Sequence, residues 1–179
     1  TINYGNYSLK FEATSLEPAE CVVYCTTMSS TKTDVTIPAS VKIAGKDFTV
    51  TTIGQDAFHN RYYLRSIVIP ASVNTIIGNA FRSCYYLESI AVENGKTVYD
   101  SRENCNAVIE TETNTLIAGW LNTVIPNSVT SIGSSAFYDC DGLTNIELPN
   151  SVTSIGVSAF SGCLGVKELT IGNSVTEIG

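Results

Sequence analysis

A block of sequence returns along this chain at a fixed distance. IPNSVTSIGSSAFYDCDGL (Ile125–Leu143) recurs 23 residues later as LPNSVTSIGVSAFSGCLGV (Leu148–Val166), and it is preceded by IPASVNTIIGNAFRSCYYL at Ile69–Leu87. An earlier copy is split into IPAS (Ile37–Ser40) and TTIGQDAFHNRYYL (Thr51–Leu64), and a last one opens with LTIGNSVTEIG at Leu169 and stops in mid-unit. Repeats of this length are turns of a coil: one unit cannot bury its own apolar face, so stacked neighbours build a continuous core. The period therefore predicts a solenoid of about 23-residue units, mainly β with short helical turns.

Each recurring residue type has a physical role. Residues three and one before the proline, such as Ile67 and Ile69 or Ile146 and Leu148, alternate inward on a strand. Between them Thr36, Val68, Ala91, Val124, Glu147 and Thr170 vary and are expected to face solvent. Proline cannot donate to a ladder, so it ends the strand. Ser-Val-Thr-Ser-Ile-Gly reads as a second short strand whose isoleucines (Ile53, Ile76, Ile132, Ile155, Ile178) fall in phase in the core. Ala-Phe then opens a helical turn, and Leu64, Leu87, Leu143 or Val166 closes the unit. The once-per-unit glycine is expected where the turn needs its freedom.

Residues 1–33 lack the repeat. Tyr7–Ala13 alternates with period two, and Glu20–Thr26 reads as a second strand, so this segment is expected to cover the first turn as an N-terminal β cap. The solenoid proper is placed at 34–179, about five and a half units. Two hairpins are expected to interrupt it, near 42–50 and 97–120. The second replaces the Ala-Phe pair of the third unit, where Glu93 also stands in place of the proline. The truncated last unit predicts an open edge that either continues in a longer array or pairs with another copy.

Seventeen acidic against ten basic residues give a net charge of −7, which argues against nucleic acid and anionic membranes as partners. No apolar run approaches the roughly 18 residues of a membrane span. No signal-peptide pattern is present, and Thr1 without a methionine suggests a processed or trimmed chain. Of six cysteines, Cys84, Cys140 and Cys163 share one repeat position, three after the phenylalanine, where the first unit has Arg61. Recurrence in phase marks them as buried free thiols. Cys21 and Cys25 share a strand face and are open to being bridged, buried or free, as is Cys105.

The pattern LxxIxLPxSVTSIGxxAFxxCxxL, filled at Leu143–Val166 with valine in the last place, resembles the BspA-like leucine-rich repeats of bacterial surface proteins. The segment YDSRENCNAVIETETNTLIAG (Tyr99–Gly119) is similar to one that recurs in those arrays. The resemblance implies a right-handed leucine-rich-repeat solenoid, exported or on a cell surface, acting in adhesion or protein binding, with no enzyme chemistry and no cofactor.

The sites weigh against catalysis as well. His59 is the only histidine, and its repeat equivalents are Arg82, Tyr138 and Ser161, so it reads as a tolerant exposed position. Asp139 and Asp141 lack the further acidic ligands of a calcium loop, and two surface aspartates in a turn explain them better. No metal site is expected. Tyr62 and Tyr63 lie one period before Tyr85 and Tyr86, which predicts two short aromatic ladders, with Arg65 stacked on Glu88 as an opposite-charge rung. Tyrosines with an apolar body and a polar tip are enriched at binding surfaces, though they also simply pack on one another. The candidate surface is therefore Tyr62, Tyr63, Tyr85, Tyr86 and Trp120, with the strand positions Val68, Val124 and Glu147. Extracellular protein ligands are the expected partners. The alternatives are a carbohydrate-binding module using Tyr and Trp faces, or a passive spacer in a larger surface protein.

Overall fold

The computed structural model describes residues 1–95 and 98–179. The first half carries β1 (Ile2–Asn3), β2 (Tyr7–Leu16), β3 (Ala19–Met28), β4 (Thr33–Thr36), β5 (Ser40–Ile43), β6 (Lys46–Ile53), β7 (Leu64–Ile69), β8 (Thr75–Ile76) and β9 (Ser89–Val92). The second half carries β10 (Tyr99–Asp100), β11 (Ala107–Glu110), β12 (Thr115–Gly119), β13 (Ser131–Ile132), β14 (Asn145–Leu148), β15 (Ser154–Ile155), β16 (Glu168–Ile171) and β17 (Glu177–Ile178). Among the described residues the one helical element is a 3-10 turn at Arg102–Asn104.

The strands stack in parallel at the sequence period. Val35, Ile67 and Ile90 align across β4, β7 and β9, and Ile146 aligns with Leu169 across β14 and β16. On a second side of the coil Ile132, Ile155 and Ile178 align across β13, β15 and β17, and Ile53 with Ile76 across β6 and β8. A leucine-rich-repeat solenoid follows: a core of in-phase Ile, Val, Leu and Phe wrapped by short parallel strands. Most of these side chains are fully buried, but Leu169, Ile171 and Ile178 are exposed, because no further turn lies over them in this chain.

Between the two sides runs a third stack. Ala-Phe opens turns closed by i to i+3 bonds, such as Arg61 N to Phe58 O (3.1 Å) and Leu64 N to Arg61 O (2.9 Å). A left-handed residue two after each phenylalanine (Asn60, Ser83, Asp139, Gly162) prevents these turns from merging into a helix. The rings pile up, Phe58 on Phe81 at 5.5 Å and Phe137 on Phe160 at 5.1 Å. The repeat glycine has a different task from the one its sequence position suggests. Gly133 and Gly156 are not left-handed; a Cβ on Gly156 would stand 2.6 Å from Ser134 N, so glycine is where consecutive turns touch.

All six cysteines are free. Cys21 and Cys25 are buried on β3, and Cys84, Cys105 and Cys140 are buried as well, whereas Cys163 is only half-buried because the turn above it is incomplete. Arg61, in the cysteine position of the first turn, instead donates from Nη2 to Cys25 O (2.7 Å) and ties that turn to β3.

β1, β2 and β3 form an antiparallel sheet, and β3 lies parallel to β6 with Val23 opposite Ile53. β5 and β6 form a hairpin through Ala44 and Gly45, both at positive φ (49° and 84°), the geometry of a two-residue turn that follows strand twist. In the second insertion, whose first expected residue, Thr97, lies outside the described residues, β10, β11 and β12 pair antiparallel. β12 then pairs with β13 in the register that β13 uses with β15, so it stands where a regular turn would put its second strand. Of the lost Ala-Phe turn only one rung is replaced among the described residues, by Gly119 N donating to Ala136 O (2.9 Å), and a gap remains between Ala80–Arg82 and Ala136–Tyr138.

Candidate binding surface

The tyrosines sit at the two central positions of β-turns. Leu64 N bonds Arg61 O and Leu87 N bonds Cys84 O (2.9 and 3.0 Å), which leaves Tyr62-Tyr63 and Tyr85-Tyr86 at the corners, where side chains project outward. The same corners in later turns hold Asp141-Gly142 and Leu164-Gly165, so the aromatic pairs belong to the first two turns alone. Stacking brings Tyr62 onto Tyr85 (5.3 Å between centroids, 3° between planes) and Tyr63 onto Tyr86 (6.0 Å, 18°). All four remain 39–48% exposed.

Charge frames this patch. Lys32 Nζ lies 5.7 Å from the centre of the Tyr86 ring and pairs with Glu88. Arg65 pairs with Asp34, which also accepts from Ser66; these two hydrogen bonds, Arg65 first, hold the Asp34 carboxyl below its ordinary range. The expected Arg65–Glu88 rung is thus corrected: the two residues are neighbours through Glu88 N to Arg65 O (2.8 Å), but their side chains choose Asp34 and Lys32.

Trp120 is a second correction. It is 8% exposed and stands edge-on to Phe81 (5.5 Å, 86°), in the core and not on a platform. Its place in the repeat is that of the closing leucine, six before the proline, which accounts for its burial. Val68 is half-buried between Thr36 and Ala91. Val124, 72% exposed, and Glu147 share a cleft of about 540 Å³ with Thr123, Asn127, Glu168 and Thr170, which does not include the tyrosines.

His59 is half-buried, not exposed, and its side chain makes no hydrogen bond among the described residues. Asp139 is engaged by Arg82 Nε at 2.9 Å. Among the described residues no group of three His, Cys, Asp or Glu is placed to hold a metal, and no helix is long and apolar enough to cross a membrane. Sequence reasoning missed Lys32, Asp34 and Arg82 as parts of the surface, since their partners lie 31 to 57 residues away and outside the period.

Known proteins place this architecture. Solved structures with the same fold include a leucine rich cell surface protein from Faecalibacterium prausnitzii, 23% identical with a TM-score of 0.52 over 99% of this chain and 44% of its own. A leucine-rich repeat protein from Eubacterium ventriosum is 21% identical with a TM-score of 0.53 over 81% of this chain and 47% of its own. The pneumococcal vaccine antigen PcpA is 15% identical with a TM-score of 0.51 over 97% of this chain and 70% of its own. The chain thus spans less than half the length of the first two. No curated protein matches it. The BspA type leucine rich repeat region matches in six copies, over residues 24–115 and 119–179. Stacked strands, phenylalanine column and sequence period agree, and the chain belongs to the BspA-type leucine-rich-repeat family.

Proposed function

We propose that this chain is a non-catalytic recognition module of a bacterial surface or secreted protein, and that it binds an extracellular protein through the tyrosine face of its first two turns. The observation that carries this reading is the stacked quartet Tyr62, Tyr85, Tyr63 and Tyr86 with Lys32 beside it. Rings already held by one another lose little freedom on binding, so their apolar area and hydroxyls are available at low entropic cost. Sugar binding is the weaker reading. Carbohydrates stack on free ring faces, whereas these tyrosines cover one another and Trp120 is buried. Catalysis is disfavoured because burial keeps the thiols of Cys84 and Cys140 protonated and Asp139 is committed to Arg82. We place β1–β3 in this scheme as the cover of the first turn.

The test probes a panel of purified extracellular-matrix and mucosal proteins alongside a glycan array. Binding to a protein that falls at least tenfold in the Tyr62→Ser/Tyr85→Ser double variant, with its melting temperature little changed, is the expected result. Enrichment on glycans alone overturns it in favour of a carbohydrate module. Enrichment on neither overturns it in favour of a spacer.

A further inference from the structure

The backbone ladder of the Ala-Phe turns is broken once. The amides of Phe58 and Asn60 donate to Ala80 O and Arg82 O of the following turn (2.7 and 3.1 Å), and those of Phe137 and Asp139 donate to Ala159 O and Ser161 O (both 2.8 Å). Phe81 and Ser83 hold the same places in the second turn, but the unit after it has no Ala-Phe pair. Their amides have no acceptor among the described residues, although both residues are buried. A donor left without a protein partner in this way is one that a ligand carbonyl can satisfy. The other side of the break is satisfied, because Gly119 N from the insertion donates to Ala136 O (2.9 Å). Only the second turn is left with donors facing the gap.

That gap is a cavity of about 380 Å³, walled by Ala80 and Phe81 on one side and by Ala136 and Tyr138 on the other, with Tyr99 and Trp120 between them. A recess of about 10 Å³, which shares Phe81, Trp120 and Tyr138 with the cavity, lies beside it at Ser83 and Tyr85. Its size lies in the range of small-ligand pockets, roughly 300–1,000 Å³. The phenylalanine column is interrupted here, since Trp120 meets Phe81 edge-on instead of stacking. Arg82 reaches across the break to Asp139 (2.9 Å) and over the ring of Tyr138 (4.7 Å), bridging the second turn to the fourth without filling the space.

We propose that this break is a binding site for a short peptide segment of a protein partner, seated as the absent rung. The segment offers two backbone carbonyls, two residues apart, to the amides of Phe81 and Ser83, and buries one aromatic or large aliphatic side chain against Trp120. The spacing selects the ligand class. A carboxylate carries its oxygens on one carbon and cannot meet donors two residues apart, whereas a peptide running beside the turn repeats that spacing by construction, as the intact rungs do. Backbone bonds then supply affinity and the pocket supplies side-chain preference. Of the tyrosine face only Tyr85 borders this site, which does not include Tyr62, Tyr63 or Tyr86.

Trp120 is the only tryptophan, so its emission reports occupancy directly. The probe is the acetylated and amidated peptide GVSAFS, which copies the chain's own Gly156–Ser161 turn. A saturable change in Trp120 emission is expected, at least tenfold weaker for the peptide with its phenylalanine replaced by serine. The rim positions Ser134 and Asn79 are exposed, so the Ser134→Phe and, independently, the Asn79→Phe variant narrow the cavity while keeping the melting temperature; each is expected to weaken the peptide at least tenfold. The Tyr63→Ser/Tyr86→Ser variant, whose residues line neither the cavity nor the recess, binds the peptide like the parent, which separates this site from the tyrosine face. No saturable response at millimolar peptide, undiminished binding in both rim variants, or a response only to monosaccharides or N-acetylphenylalanine overturns the proposal.

Discussion

Cys84 Sγ donates to Phe58 O (3.2 Å) and Cys163 Sγ to Phe137 O (2.9 Å), so the repeat thiol caps the phenylalanine carbonyl of the turn before it. Burial pushes both Cys84 and Cys140 up to about 12. An unfolded thiol titrates near 9.0, so the folded chain holds these protons more tightly, and stability is unaffected below that pH and falls between about 9 and 12. We expect the melting temperature to drop across that window and the drop to lessen in Cys84→Ala. Thiol reagent at pH 8 should react slowly with the native protein and count six thiols after denaturation; fast native labelling of Cys84 contradicts this account. The burial of these thiols was legible because a fixed period fixes where each Cα lies in the coil. What the period does not fix is which neighbour a long side chain finds. Arg65 had carboxylates in reach on two sides and took Asp34, and Trp120 looked like a surface aromatic because its insertion hid its repeat position.

At the scale of the element, two glycines show two different constraints. Gly45 lies at φ 84° in the β5–β6 turn with nothing within 4 Å of an added Cβ, so Gly45→Ala costs only backbone strain, about 1 kcal/mol. Gly156 has ordinary φ but no room, since its Cβ would meet backbone atoms of Gly133 and Ser134 at 2.6–3.0 Å. Gly156→Ala must push two turns apart and is expected to cost more, on the order of 1–3 kcal/mol. Equilibrium denaturation of both variants measures the difference, and equal losses would refute the assignment. The strand pair per unit and its register were legible in the alternation around the proline and in the in-phase isoleucines. The glycine's role was not, because contact between turns depends on a spacing that no single unit displays.

Across the whole molecule, protection from solvent is graded. The fourth turn buries Ile132, Phe137 and Leu143 almost completely, while Leu169, Ile171 and Ile178 in the last strands are 39%, 42% and 67% exposed. Amide exchange in a monomeric sample is expected to be slowest at β13 and fastest at β16 and β17; uniform protection through Ile178 in such a sample would overturn this. The fold was legible at this scale because each turn repeats its predecessor. The break in the stack was only half legible: the lost Ala-Phe pair could be read, but the cavity it leaves could not.

That break also divides the coil mechanically. β4–β7–β9 and β14–β16 are separate sheets. Among the described residues, the second and third turns are joined to the insertion and the fourth turn through side chains: Ile90 N to Asn106 Oδ1 (2.7 Å), Val92 N to Ser101 Oγ (3.0 Å), Asn106 Nδ2 to Glu88 O (3.0 Å) and the Arg82–Asp139 bridge. By contrast, the first and second turns are zipped by backbone bonds on three sides, β4 to β7, β6 to β8 and Phe58 N to Ala80 O. Under a pull along the coil, the seam is expected to act as a fuse. Stretched from its ends in a force spectrometer, the molecule should part first near residues 92–106, and Arg82→Ala should lower the force of that first event while leaving the later ones unchanged.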